Sequence, residues 1–223
     1  MEIRRITGFA SAVAFLGVFV PAVASAQTGQ TGSGAQKVSI GAVGGAAAVQ
    51  EVGGLAGGEL GVRFSNRLTA IGEGLWLQNV VTRRRLDLAA AVASSVQSAQ
   101  GKTASGSVEA PAFYAGGGVR FDITTHDIWR PFVTFTAGIG RITLKPSFTL
   151  GGADVTKNIS TYGVTLGEDL TGESTEPAFS TSFGVRMLHG RWYVDGAFGV
   201  IAIQTPDQAT NVLRASAGFG VLF

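Results

Sequence analysis

The amino-acid sequence predicts an all-β fold: an eight-stranded antiparallel up-and-down transmembrane β-barrel with short periplasmic turns and longer extracellular loops. Three observations lead there. The apolar residues, 45% of the chain, are spread over alternating segments and not gathered into one long run. Where the alternation is clear, charges and large apolar side chains fall on opposite faces. The connections between these segments also differ in length, short and long in turn. Successive side chains of a strand point to opposite faces, so such alternation is a strand signal. A membrane-spanning barrel carries that signal weakly in each segment but repeats it along the chain.

The N-terminus reads as a secretory signal peptide over residues 1–26. Arg4 and Arg5 are followed by an apolar stretch over residues 9–20, then Pro21 and the small-x-small site Ala24-Ser25-Ala26 before Gln27. The stretch is shorter than the ~20 residues a spanning helix needs. With no Cys in the chain, a lipid anchor on cysteine, a disulfide framework and thiol chemistry are all excluded. Lys and Arg number 17 against 15 Asp and Glu, and without Arg4, Arg5 and Glu2 the counts are 15 and 14. So small an excess gives no pointer to a nucleic-acid partner. Gly, at 33 of 223 residues, is about twice its usual share. Residues 27–36, rich in Gly, Ser, Thr and Gln, suit a flexible periplasmic lead-in to a barrel over residues 37–223.

The predicted strands cover residues 37–49, 57–64, 68–82, 109–123, 129–144, 176–188, 191–203 and 211–223. Residues 65–67, 124–128 and 189–190 are short connections, whereas 83–108 and 145–175 are long. In an even-stranded up-and-down barrel this places both long loops on one side, the outside if Gln27 starts in the periplasm. The faces separate cleanly in the fourth strand. There Phe113, Ala115, Gly117, Val119 and Phe121 alternate with Tyr114, Gly116, Gly118, Arg120 and Asp122. The sixth sets Phe179, Phe183, Val185 and Met187 against Ser180, Ser182 and Arg186, and the seventh sets Trp192, Val194, Phe198 and Val200 against Tyr193 and Asp195. The third fits worst, because Glu73 shares a face with Ile71, Leu75 and Leu77 while Trp76 lies opposite; this predicts a bulge. Aromatic residues gather near strand ends, with Phe64, Phe121, Trp129, Phe132, Trp192, Phe219 and Phe223 at one end and Trp76, Phe113 and Phe179 at the other, as interfacial girdles do.

The last segment alternates to the final residue, with Leu213, Ala215, Ala217, Phe219, Val221 and Phe223 on one face. It resembles the C-terminal strand of bacterial outer-membrane β-barrels. That resemblance assigns Phe219, Val221 and Phe223 to the signal read by the barrel-assembly machinery. The segment Trp129-Arg130-Pro131-Phe132, running on to Gly138-Ile139-Gly140-Arg141, resembles the strand after a periplasmic turn in small outer-membrane-protein-A-like barrels. The likeness spans residues 37–223. It implies location in the bacterial outer membrane, contact with outer-membrane lipid and lipopolysaccharide, no cofactor and a monomer.

Eight charged residues project toward the expected interior: Glu59, Glu73, Asp122 and Asp195 with Arg63, Arg120, Arg186 and Arg214. An eight-stranded barrel is wide enough only for side chains to fill it, and buried charges must be paired. Equal numbers suit an ion-pair network that plugs the lumen, and depth along the strands suggests the pairs Glu73–Arg120 and Asp195–Arg214. His126 and His189 fall in predicted periplasmic turns; Ser65, His126 and Asp127 are the nearest approach to a hydrolytic set, but lie at the wrong end of the barrel for outer-leaflet lipid. The residues therefore predict no catalytic, cofactor or metal site. The glycines of Ala115-Gly116-Gly117-Gly118 and Gly138-Ile139-Gly140 sit inside alternating strands and suit tight curvature, not phosphate binding. Arg83-Arg84-Arg85 falls where the third strand leaves the outer face, at the height of lipopolysaccharide phosphates, which guanidinium groups bind well. Residues 86–99 are Ala-rich and suit a short helix over the barrel mouth. The function expected is non-catalytic: a structural or surface-interaction role through loops 83–108 and 145–175. The alternatives are a narrow channel or carrier for a small solute and a secreted soluble barrel with an internal ligand.

Overall fold

In a computed structural model of the protein, residues 38–125, 128–167, 169–205 and 209–223 are described. The expected signal peptide with Ala24, Ala26 and Gln27, the lead-in, and the pair His126 and Asp127 lie outside the described residues.

Eight strands form one closed antiparallel ring: β1 (Val38–Ala48), β2 (Val52–Arg63), β3 (Leu68–Leu77), β5 (Ala112–Asp122), β6 (Trp129–Leu150), β8 (Gly172–His189), β9 (Trp192–Gln204) and β10 (Ala209–Leu222). Each pairs with the next in this order, and β1 pairs with β10 to close the wall. At the seam Phe223 N–H donates to Val38 C=O at 2.8 Å and Val38 N–H donates back at 3.2 Å. Closure removes the free sheet edges that a flat sheet would expose.

The wall's outer face is apolar. Phe113, Phe135, Phe179, Phe183, Phe198 and Leu213 are all exposed, while the intervening Tyr114, Thr136, Ser180, Ser182 and Arg214 are buried inside. Burial is thus inverted relative to a soluble barrel. Phe132 departs from the expected girdle: it is buried, facing the lumen. Phe135, Phe183 and Phe198 also fill the belt between the two expected aromatic bands.

Several boundaries differ from the sequence expectation. β2 begins at Val52, not at 57, and β3 ends at Leu77, not at 82. No bulge interrupts β3: Ile71, Glu73, Leu75 and Leu77 all face inward in unbroken register with β2 and β5. The pattern that suggested a bulge reflects an inner face that turns from polar to apolar. β6 runs on to Leu150, past Pro146, because a further strand, β4 (Ala104–Glu109), pairs with its extension. A two-residue strand, β7 (Ala153–Asp154), pairs with it from the other side. The loop lengths are less sorted than expected. β1 and β2 are joined by residues 49–51, and β9 and β10 by 205–208, so only two connections at that end are long.

The first long connection carries helix α1 (Arg83–Gln100). It stops at Gly101, whose φ of 65° lets its N–H reach Gln97 C=O at 2.8 Å. Ahead of the helix, Asn79 Oδ1 accepts from Val81 N–H at 3.2 Å and Ala110 N–H at 3.0 Å, tying the two ends of this connection together. The second long connection contains a 3-10 turn over Thr156–Tyr162.

Candidate functional site: lumen and rim

From the tight-turn end to the α1 end, the lumen is filled in layers. At the lowest level Arg63 Nη2 meets Asp122 Oδ2 at 3.2 Å. Above it lies a chain of alternating charge. Arg120 grips both oxygens of Glu59, with Nη1 to Oε1 at 2.7 Å. Arg186 donates to the same Oε1 at 3.2 Å and to Asp195 Oδ2 at 2.6 Å. The guanidinium of Arg120 stands 4.4 Å from the Phe132 ring centre, and that of Arg186 3.7 Å from the Tyr193 ring centre. Cations over aromatic faces gain further in a desolvated site, which accounts for the inward Phe132.

A second charged group lies on the α1 side of this chain. Arg214 Nη1 donates to Glu73 Oε2 at 2.9 Å, Thr136 donates to Glu73 Oε1 at 2.8 Å, and the Tyr114 and Thr136 hydroxyls are 2.7 Å apart. Glu59 and Glu73 stand directly opposite each other on β2 and β3. Like charges in that relation repel, so each is held by its own arginines from across the lumen.

These pairs correct two sequence expectations. Glu73 binds Arg214, not Arg120, and Asp195 binds Arg186, not Arg214. In register Arg120 lies opposite Thr69, four positions from Glu73, and Arg214 lies opposite Gly199, four from Asp195. Four residues of strand are about 13 Å, too far for either expected pair; the narrow lumen brings Glu73 to Arg214, whereas Asp195 stands directly opposite Arg186 on the adjacent strand β8. Glycine makes room for the long side chains: a Cβ at Gly116 would collide with the Tyr114 ring, and one at Gly41 with Tyr193.

The α1 half of the lumen is apolar, and this the sequence reading missed. Leu55, Leu75, Leu77, Ile142, Ile201, Ile203 and Val212 are 0–4% exposed and pack in one cluster with Val80, Val81, Phe148, Ile159 and Leu170. Ala89 and Val96 of α1 join the same cluster, and Ala93 between them is buried as well. They recur at helical spacing of three to four residues, a signal the alanine-rich composition obscured. The helix is therefore a hydrophobic stopper.

Arg83, Arg84 and Arg85 do not form the base of an extended loop. Val80, Val81 and Thr82 turn inward, and the three arginines form the first turn of α1. Arg83 Nε lies 3.8 Å from Asp87 Oδ1. Arg84 and Arg85 border a small recess with Thr82, Asp169, Thr205 and Thr210, beside the short β9–β10 connection. No acidic residue occupies that first turn, so the arginines add to the positive end of the helix dipole.

Ser65 Oγ accepts from Leu68 N–H at 3.0 Å and shapes the β2–β3 turn, and His189 is exposed at the end of β8. Among the described residues, no group of three His, Asp or Glu side chains is placed to hold a metal ion.

No family model and no curated protein matches the chain. Solved structures do. Neisserial surface protein A is 16% identical, covers 83% of this chain and 96% of its own, with a TM-score of 0.50. The N-terminal β-barrel domain of Pseudomonas aeruginosa OprF is 12% identical over 86% of this chain and 100% of its own, with a TM-score of 0.49. The Yersinia pestis attachment invasion locus protein is 12% identical over 84% and 97%, with a TM-score of 0.45. The closed ring and the first of these likenesses give the chain the fold of the small eight-stranded outer-membrane β-barrels.

Proposed function

We propose that this chain is a bacterial outer-membrane protein with a closed lumen, which works without catalysis through the surface it exposes around α1 and residues 145–175. The observation that carries this reading is the double seal: a buried ion-pair layer and, beyond it, an apolar layer capped by α1. A water-filled channel needs a continuous polar path, and a catalytic site needs an accessible cleft; a packed lumen supports neither. The apolar outer belt supports a membrane location, since a large exposed apolar surface is costly in water. In this reading Phe219, Val221 and Phe223 serve barrel assembly, residues 1–26 serve export, and the barrel acts as a monomer.

Arg83, Arg84 and Arg85 are proposed to contact lipopolysaccharide phosphates. They stand next to the β9–β10 connection, and three cations at a helix N-terminus are unfavourable for the helix itself.

Tryptophan quenching tests the location. Trp76, Trp129 and Trp192 are each 48–59% exposed on the outer wall. Lipids brominated on their acyl chains should quench the fluorescence of the folded protein strongly. Unquenched emission, or recovery of the mature chain in the soluble periplasm, would refute the reading.

A further inference from the structure

The outer face of β6 changes character along its length. Its outward residues run Val133, Phe135, Ala137 and Ile139, all apolar, and then Arg141, Thr143, Lys145, Ser147 and Thr149, all polar. The hydrocarbon boundary on this side therefore falls between Ile139 and Arg141. Beyond it the polar positions continue for about 27 Å, taking ~3.4 Å per residue. On either side the neighbours repeat the pattern. β4 sets Ser105, Ser107 and Glu109 opposite Thr149, Ser147 and Lys145, and β8 sets Glu173 and Thr175 opposite Thr143 and Arg141.

The reverse face of this extension packs Ile142, Phe148 and Leu150 into the apolar cluster. The wall is thus rigid. Its charges cancel: Arg141 pairs with Glu173, and Glu109 lies opposite Lys145. Its hydroxyls are ordered too, with Ser105 and Thr149 sharing a hydrogen bond of 2.7 Å and Thr143 donating to Glu173 at 3.3 Å. Above Phe113, which lies exposed opposite Arg141 at its base, no large apolar or aromatic side chain projects from it.

We propose that this wall docks against the sugar headgroups of the glycolipid in the surrounding leaflet. The inference rests on the outer-membrane location proposed above. A neutral array of hydroxyls and paired charges offers donors and acceptors together, which suits polyhydroxylated sugars directly or through water. It does not suit phosphate, which calls for unbalanced positive charge. Height selects the same partner, because the wall rises sideways from the hydrocarbon boundary into the layer where glycolipid sugars lie. The arginines of α1, by contrast, sit beside the β9–β10 connection. The two sides of the mouth would then meet different parts of one lipid.

Because the natural chain has no Cys, a single introduced thiol reports the contact. The full mature chain carrying Ser107→Cys, at the centre of the wall, is folded into bilayers holding either lipid A alone or lipopolysaccharide with its core sugars. Its rate of labelling by a hydrophilic maleimide is measured in both. Ser94→Cys, exposed on α1, is the control. Core sugars should slow labelling at Ser107→Cys about tenfold, equivalent to ~1.4 kcal/mol of protection, and leave the control nearly unchanged. Adding Ser105→Ala, Ser147→Ala and Thr149→Ala should return the rate toward that in lipid A. Equal rates in the two lipids, equal slowing at Ser94→Cys, or slowing that survives the triple change would each overturn the proposal. Tryptophan quenching by brominated lipid separates the two readings: without quenching the membrane location fails, whereas quenching without a core-sugar effect rejects this inference alone.

Discussion

Replacing Glu59 with Ala should destabilise the barrel more than replacing its partner Arg120. Glu59 is 8% exposed and, among the described residues, is the only carboxylate bonded to Arg120, which is 4% exposed. Arg186 would keep Asp195 at 2.6 Å, but Arg120 would keep only the face of Phe132 at 4.4 Å. Breaking a buried pair by removing one partner costs ~3–5 kcal/mol, because the remaining charge is stranded away from water. Arg120→Ala should cost less, since Glu59 retains Arg186 at 3.2 Å. The double variant Glu59→Ala with Arg120→Ala should cost well under the sum of the two, because neither strands the other's charge. Urea unfolding in lipid vesicles, followed by tryptophan emission and by heat-dependent gel mobility, gives all four corners of this cycle. The reasoning is refuted if the losses are additive, or if Glu59→Ala costs no more than the ~1 kcal/mol typical of an exposed pair.

Other outcomes follow from the same geometry. Leu75→Ala, at a site with 0% exposure, should cost ~2–5 kcal/mol by leaving a cavity in the apolar layer, as read by the same unfolding assay. Replacing Arg83, Arg84 and Arg85 with Gln should weaken lipopolysaccharide association at low salt and make little difference at high salt, where charges are screened within a few ångströms; co-sedimentation over a salt series checks this. In the loops beyond the bilayer, hydrogen bonds from the Thr156 hydroxyl and N–H hold the Asp154 carboxyl below its ordinary pKa, and the hydrogen bond and charge of Arg141 do the same for Glu173. A carboxylate whose pKa is depressed by folding stabilises the folded loop above its unfolded pKa, and this is lost as pH falls through the folded value. Amide exchange around residues 153–156 should therefore stay constant from neutral pH down to the ordinary carboxylate range, after correction for intrinsic rates, and rise progressively as pH falls through that range and below it; a rise already near pH 6 would contradict the assignment.

Much of the wall was legible because one strand carries its own evidence. In β5 the separation of Phe113, Val119 and Phe121 from Tyr114, Arg120 and Asp122 is a property of sequence parity, and the fold preserves it. The same parity put all eight of the charged residues on inward positions. Arg186 and Asp195 stand opposite each other across the tight β8–β9 turn and could have been paired from the sequence; the other partners depend on which strands face each other across the lumen. Glu73 reaches Arg214, 141 positions away, and no local pattern encodes that. Glu73 beside Leu75 and Leu77 looked like a register fault because the lumen was expected to be polar throughout. The boundary between polar and apolar lumen follows from α1 covering the mouth, which is a tertiary fact. The strand expected over 129–144 instead continues past Pro146, which lacks an N–H, because it pairs there with β4. The alternation of Lys145, Ser147 and Thr149 with Phe148 and Leu150 was visible in the sequence and went unused.

Planar-bilayer conductance of the folded, inserted chain tests the closed lumen most directly. The account predicts no steady current from the unmodified protein. It also predicts none from the Arg120→Ala variant, because the apolar layer of Leu75, Ile201 and Ile203 beneath α1 still blocks the path. Steady, large single-channel currents from the unmodified protein would contradict it.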